Sequence, residues 1–156
     1  MNSDTIGYSP DEIDLSLSTR AARLKWVIAV SADLPSGRAT NAAVCVAATT
    51  IGAVAGLLGP DVEDAEGRSH PGLPWTGCTV LAATHEQLET IARKASAAAD
   101  VFVADMPALG QATRVYDEYV AAMAQTSAEQ LEPLAVSIVG PRNRVDRLVG
   151  SLPLLP

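Results

Sequence analysis

Residues Leu24–Thr50 read LKWVIAVSADLPSGRATNAAVCVAATT. The opening LKWVIAV is apolar and partly β-branched, and it runs into a polar corner holding Asp33, Pro35 and Gly37. A short apolar run bounded by turn residues predicts a buried strand, Leu24–Val30. Beyond the corner, the Ala-rich segment predicts a helix from about Arg38 to Leu58, stopped by Gly59-Pro60. Nearly every face of that helix is apolar or small. It is therefore expected to be enclosed on more than one side, by a sheet and by a further layer or a partner subunit.

The same alternation continues downstream. CTVLAA, Cys78–Ala83, reads as a second buried strand, and Thr84–Gln87 as a capping box in which Thr accepts from a free amide while Gln reaches back. The helix it opens carries Leu88, Ile91, Ala92 and Ala95 at spacings of three and four. DVFVA, Asp100–Ala104, is a third strand, and MPALGQAT reads as a loop. RVYDEYVAAMA, Arg114–Ala124, is a helix with Val115, Tyr119, Ala122 and Met123 on one face. PLAVSIVG, Pro133–Gly140, is a fourth strand, followed by Pro141, a short helix RNRVDRLV and a stop at Gly150. Between the first helix and second strand, DVEDAEGRSHPGLPW reads as a hairpin or loop around Glu66-Gly67.

Strands alternating with amphipathic helices predict an α/β fold. The form expected is a three-layer α/β/α sandwich on a small, mostly parallel (mixed) sheet of about four main strands. A chain of 156 residues fits one such domain. Residues 1–22 lack sustained apolar periodicity and read as a flexible or loosely docked extension ahead of a domain over 23–156.

Composition narrows the function classes. Hydrophobic residues make up 48% but aromatics only 4%, so the core must be assembled from Val, Leu, Ile and Ala in close approach. A net charge of −7 disfavours attraction to phosphate backbones, so a nucleic-acid partner is not expected. The two cysteines, Cys45 and Cys78, lie in apolar runs and read as buried free thiols. The N-terminal residues are polar and acidic, unlike a secretory signal. Ala42–Leu58 is near the minimum for a membrane span, but its Ala, Gly and Thr content predicts a buried helix instead. A cytoplasmic protein with no membrane association is the expectation.

In open α/β sheets ligands sit beyond the carboxyl ends of strands. That selects two turns, Asp33–Asn41 and Asp105–Thr113. Free amides near Gly37–Thr40 and the charge of Arg38 suit an anion, although Ser36 as a simple cap and a solvated Arg38 explain the same residues. Asn41, with Arg38 three residues before it and Cys45 one turn after, needs hydrogen-bond partners if buried, from a neighbouring loop or from a ligand. Asp105 follows a buried strand and is expected at the same edge as Asp33. Two close carboxylates suit acid–base work, and an Asp at a strand end also serves as a turn residue. Asp61, Glu63, Asp64 and His70 match no metal-ligand spacing and read as a solvated hairpin. No glycine-rich phosphate loop, GxSxG elbow or CxxC is present, so no cofactor or metal is expected.

The run KWVIAVSADLPSGRATNAAVCVAA resembles the opening of the type 2 peptidyl-tRNA hydrolase superfamily, and VDRLVGSLPLL its closing segment. The combination DLPSGRATNAA, DVEDAEGRSHPGL, YDEY, VGPRNRVDRL and GSLPLL more closely resembles the DUF2000 family, an uncharacterised branch with that fold. The resemblance covers roughly Lys25–Pro156. It implies that the catalytic lysine of the hydrolases falls on Thr40, with Arg38 at the preceding basic position. The hydrolase helix glutamine falls on Val44, and the aspartate of the third strand on Asp105. The threonine four residues later falls on Leu109, with Thr113 as a substitute. A threonine supplies no cation for a developing oxyanion, which argues against peptidyl-tRNA hydrolysis. The expected function is binding of a small ligand or peptide by Asp33, Arg38, Thr40, Asn41, Asp105 and Thr113. The alternatives are a hydrolase of altered chemistry, with Asp105 catalytic and Arg38 replacing the lysine, and a homodimeric interaction module.

Overall fold

The structure is a computed structural model and describes residues 6–156. Four strands form the main sheet in the order β4-β1-β6-β5, comprising β1 (Leu24–Ser31), β4 (Thr79–Ala83), β5 (Phe102–Pro107) and β6 (Pro133–Pro141). β1 runs parallel to β4, while β6 lies antiparallel to both β1 and β5. The sheet is thus mixed, as expected, with one parallel pair: β4, β1 and β5 run one way and β6 the other. The cause lies between β5 and β6. The chain leaves β5, makes an excursion at that same edge, and re-enters beside it; the Ala108 amide donates to the Glu132 carbonyl at 2.7 Å and pins the two ends together. A chain returning at the edge it left must run back antiparallel.

Helix α1 (Ser36–Ala53) covers one face of the sheet, and α2 (His85–Ser96) with α5 (Arg142–Val149) covers the other. Alternate β1 residues serve the two sides: Trp26, Ile28 and Val30 face α1, Val27 and Ala29 face α2 and α5. β6 is central, so all its residues from Pro133 to Gly140 are buried, which explains its unbroken apolar run. The architecture is a three-layer α/β/α sandwich. The expected hairpin is present as β2 (Val62–Glu63) and β3 (Ser69–His70), turning at Gly67 with φ +77°. The capping box is present too, with the Gln87 amide donating to Thr84 Oγ1 and the Thr84 amide to Gln87 Oε1.

One polar chain crosses the core. Trp26 Nε1 donates to Ser137 Oγ at 2.9 Å, and Ser137 Oγ lies 2.7 Å from Thr50 Oγ1. Thr50 donates its only hydroxyl proton to the Val46 carbonyl. The direction is therefore settled: Ser137 accepts from Trp26 and donates to Thr50, so the Trp26, Ser137 and Thr50 side chains are all hydrogen-bonded.

Helix α1 departs from expectation twice. It ends at Ala53 rather than near Leu58, because Val54 and Leu57 turn inward and are each only 2% exposed. It is also covered on one side only in the single chain, with Ala39, Ala42, Val46 and Thr50 buried and Val44 60% exposed. It begins at Ser36 after Pro35, with no side-chain cap, so Ser36 is not the capping group. No helix among the described residues is long and apolar enough to cross a membrane.

Ahead of β1 the chain makes close contacts at Tyr8. That ring is buried at 5% exposure and lies 4.9 Å from Trp75. Its hydroxyl accepts from the Leu24 amide at 2.8 Å, and its own amide donates to the Ala55 carbonyl at 2.9 Å. Gly56 makes this approach possible: its φ is +73°, and a Cβ there would sit 2.7 Å from the Tyr8 carbonyl oxygen. Residues 1–5 of the expected extension lie outside the described residues. At the other terminus, the Ala82 amide donates to Pro153 and the Leu155 amide to Val80, so the tail lies along the outer side of β4. Leu152 and Leu155 pack into the two cores.

Candidate functional site

The excursion between β5 and β6 contains α3 (Ala108–Ala112) and α4 (Tyr116–Ala124). MPALGQAT, expected as a loop, thus closes one short helix, and β5 runs three residues further than its predicted end at Ala104. α4 buries no residue fully, because it packs on α3 rather than across the sheet. Between α1 and this excursion lies a cleft of about 320 Å³. Cys45, Val46 and Thr49 of α1 form one wall, and Thr113, Arg114 and Tyr119 contribute to the other. Asp105 and Met106, from the last turn of β5, lie between them.

Asp105 pairs in the ladder with Val136 and is exposed at the sheet edge. Among the described residues its carboxylate takes part in none of the five ion pairs, and neither does Arg114. Thr113, the C-cap of α3, donates its hydroxyl to the Leu109 carbonyl at 2.9 Å, which leaves its oxygen to accept. Tyr119 stands with Tyr116 edge-on at a centroid distance of 5.5 Å. Burial first, then the neighbouring Tyr116 and Asp105, push the Tyr119 phenol above its usual range. The phenol stays protonated near neutrality and offers the cleft an O–H rather than a base.

The candidates from the first turn divide. Arg38 and Asn41 both meet Gln111 of α3. Arg38 Nε donates to Gln111 Oε1 at 2.8 Å, and Gln111 Nε2 donates to the Arg38 carbonyl and to Asn41 Oδ1 at 2.9 and 3.1 Å. Because the arginine nitrogen only donates, the amide orientation follows from the network. The Asn41 side-chain oxygen is therefore engaged by the neighbouring segment. Positions 38, 41, 45 and 49 form one stripe along α1, so this latch sits above the cleft on the same helical face. Thr40 lies off the stripe, and its hydroxyl donates to the Ser36 carbonyl at 2.8 Å. Val44 lies off it as well. Asp33 is exposed in the β1–α1 turn and does not line the cleft. It is not a close partner of Asp105, because β6 lies between β1 and β5, a separation of two strand spacings, about 10 Å.

Gln111, Arg114 and Tyr119 were not singled out from the sequence. The readable signal was indirect: Asn41 was expected to find hydrogen-bond partners in a neighbouring loop or a ligand, which named no particular residue. Cys45 is exposed in the cleft, whereas Cys78 is partly buried, so only one of the two thiols is sheltered as expected. The acidic loop is local structure. Asp64 accepts from the Glu66 and Arg68 amides and meets His70 at 3.1 Å, and Asp61 accepts from the Gly72 amide. His85 pairs with Glu89 one turn along α2.

Among solved structures, that of a protein of unknown function from Agrobacterium tumefaciens strain C58 is similar, with a TM-score of 0.76 over 85% of this chain and 97% of the other. Its identity is 17%, so the likeness establishes the fold alone. No curated protein matches the sequence. The model of the family described as "Protein of unknown function (DUF2000)" matches residues 24–156, everything from the first residue of β1 onward, and the chain belongs to that family.

Proposed function

We propose that the cleft beside β5 binds a small ligand or peptide, on a scaffold of the type 2 peptidyl-tRNA hydrolase kind that has lost the hydrolytic lysine. The supporting observation is that Asp105 and Arg114, of opposite charge, line one cleft without an ion-pair partner among the described residues. A ligand with a cationic or N–H donor group and a carboxylate or carbonyl meets both. An amino acid or short peptide has that pattern. Val46, Met106 and the Tyr119 ring supply contact area for its apolar part.

Binding is favoured over hydrolysis by the positions of the cations. The place of the lysine is held by Thr40, whose hydroxyl is engaged with its own helix. Arg38 is held by Gln111 and does not line the cleft. Neither histidine is near: His70 belongs to the hairpin and His85 to the start of α2. Titration of the full chain with a panel of dipeptides, followed by NMR chemical shifts, tests the reading. Shifts are expected along Cys45–Thr49 and Asp105–Tyr119, with affinity reduced roughly tenfold by Asp105→Asn or Arg114→Gln. Unchanged binding in both variants, or peptidyl-tRNA turnover that Asp105→Asn removes, overturns it.

A further inference from the structure

At the opposite edge of the sheet, where β1 and β4 begin, lies a second cavity of about 480 Å³. Its lining includes Arg20, Lys25 and Arg142 and, among the described residues, no carboxylate. Three of the eleven Lys and Arg residues therefore meet in one hollow of a chain whose net charge is −7. Thr19, Thr76 and Thr79 place hydroxyls around them.

The charges are unequally compensated. Lys25 is paired with Asp146 at 2.6 Å. Arg142 spends Nη2 on two carbonyls, Thr19 at 2.7 Å and Ala22 at 3.3 Å, which are neutral acceptors. Among the described residues its buried Nε meets no acceptor, and Nη1 makes no bond and is not sealed off. Arg20 is exposed and enters no ion pair among the described residues. Among the described residues two positive charges thus remain without a counter-ion. The Cys78 thiol, also in the lining, is pushed up to about 12 by burial and adds no negative charge. Thr76, only 7% exposed, has a single long contact of 3.5 Å to the Gly77 carbonyl, so its O–H is poorly used. A partly desolvated guanidinium without a carboxylate is costly, and an anion is the group that relieves it.

We infer that this cavity binds the phosphate group of a small phosphorylated molecule, with Arg20 and Arg142 meeting its charge and Thr76 donating to an oxygen. The volume exceeds what a bare phosphate fills and lies in the range of small-molecule pockets. Because Arg142 also holds the Thr19 and Ala22 carbonyls, the bound anion stiffens the junction between the leading segment and β1.

The test uses the full chain at constant ionic strength. Inorganic phosphate, a sugar phosphate and a nucleoside 5′-monophosphate are titrated by calorimetry and thermal shift against equivalent chloride. Saturable stabilisation by phosphate is expected, with tighter binding of at least one organic phosphate. Arg20→Ala is expected to weaken binding roughly tenfold, and Arg142→Gln more. Since Arg142→Gln also loosens the leading segment, Arg20→Ala and Thr76→Val are the decisive variants. Equal response to chloride and phosphate, or unchanged phosphate affinity in both of these variants, overturns the inference. Binding that is tightest for inorganic phosphate overturns the organic part of it. Asp105→Asn leaves phosphate binding unaltered, which separates this site from the cleft beside β5.

Discussion

Each of the two cysteines lines a different hollow, one at either edge of the same sheet. Cys45 borders the cleft beside β5, and Cys78 borders the cavity where β1 and β4 begin. The first hollow is built largely from one local excursion, Ala108–Glu132, leaning on α1. The second is assembled from segments far apart in the chain: Thr19 and Arg142, which touch across it, are 123 residues apart. Local construction leaves the cleft dependent on short elements such as α3 and α4. Non-local construction makes the cavity a readout of whether the whole domain is closed.

The largest contrast is kinetic. At pH 8 only about one part in 10⁴ of Cys78 is thiolate, given a pKa pushed to about 12, and its partial burial slows attack further. A maleimide is therefore expected to modify Cys45 in the native protein and Cys78 only after unfolding, as peptide mass spectrometry reads directly. Comparable native rates for both thiols would erase the distinction between the hollows.

Next in size is Tyr8→Ala, which removes a buried ring and the acceptor of the Leu24 amide. It is expected to cost about 3–5 kcal/mol in urea unfolding. It should speed Cys78 labelling more than Cys45 labelling, since it strikes the side of the domain where the leading segment meets β1. Ser137→Ala lies between the two hollows and leaves Trp26 Nε1 without an acceptor. A loss of about 1–3 kcal/mol is expected, with both labelling patterns preserved below the transition. Smallest is Gln111→Ala. The latch it breaks is exposed, so stability should change by about 1 kcal/mol or less. Hydrogen exchange in Ala108–Ala112 should nevertheless rise while exchange around Thr76 stays unchanged.

The contrast also explains what was readable. Strand β6 was legible because a central strand is buried on both faces and must be continuously apolar. The capping box Thr84–Gln87 was legible because its chemistry is local. The direction of β6 was not, since an antiparallel return depends on where the 108–132 excursion lies and not on any residue within β6. The strand-end rule selected the turns that hold Asp105 and Thr113, which line the cleft, and Asp33 and Thr40, which do not, because it carries no information about which strand lies between two turns or which way a helical side chain faces. The cavity at the other edge gave no signal at all: Arg20, Thr76 and Arg142 form no motif in sequence, and only long-range packing brings them together.

The C-terminal tail has one further consequence. By hydrogen bonding to Val80 and Ala82 it occupies the outer edge of β4, and its Pro153 and Pro156 offer no N–H of their own. In the main sheet β5 is then the edge strand with no further strand beside it among the described residues. With its backbone partners taken by the tail, β4 is shielded from pairing with a strand of another chain, so the tail acts as a guard against edge-to-edge aggregation on that side of the sheet.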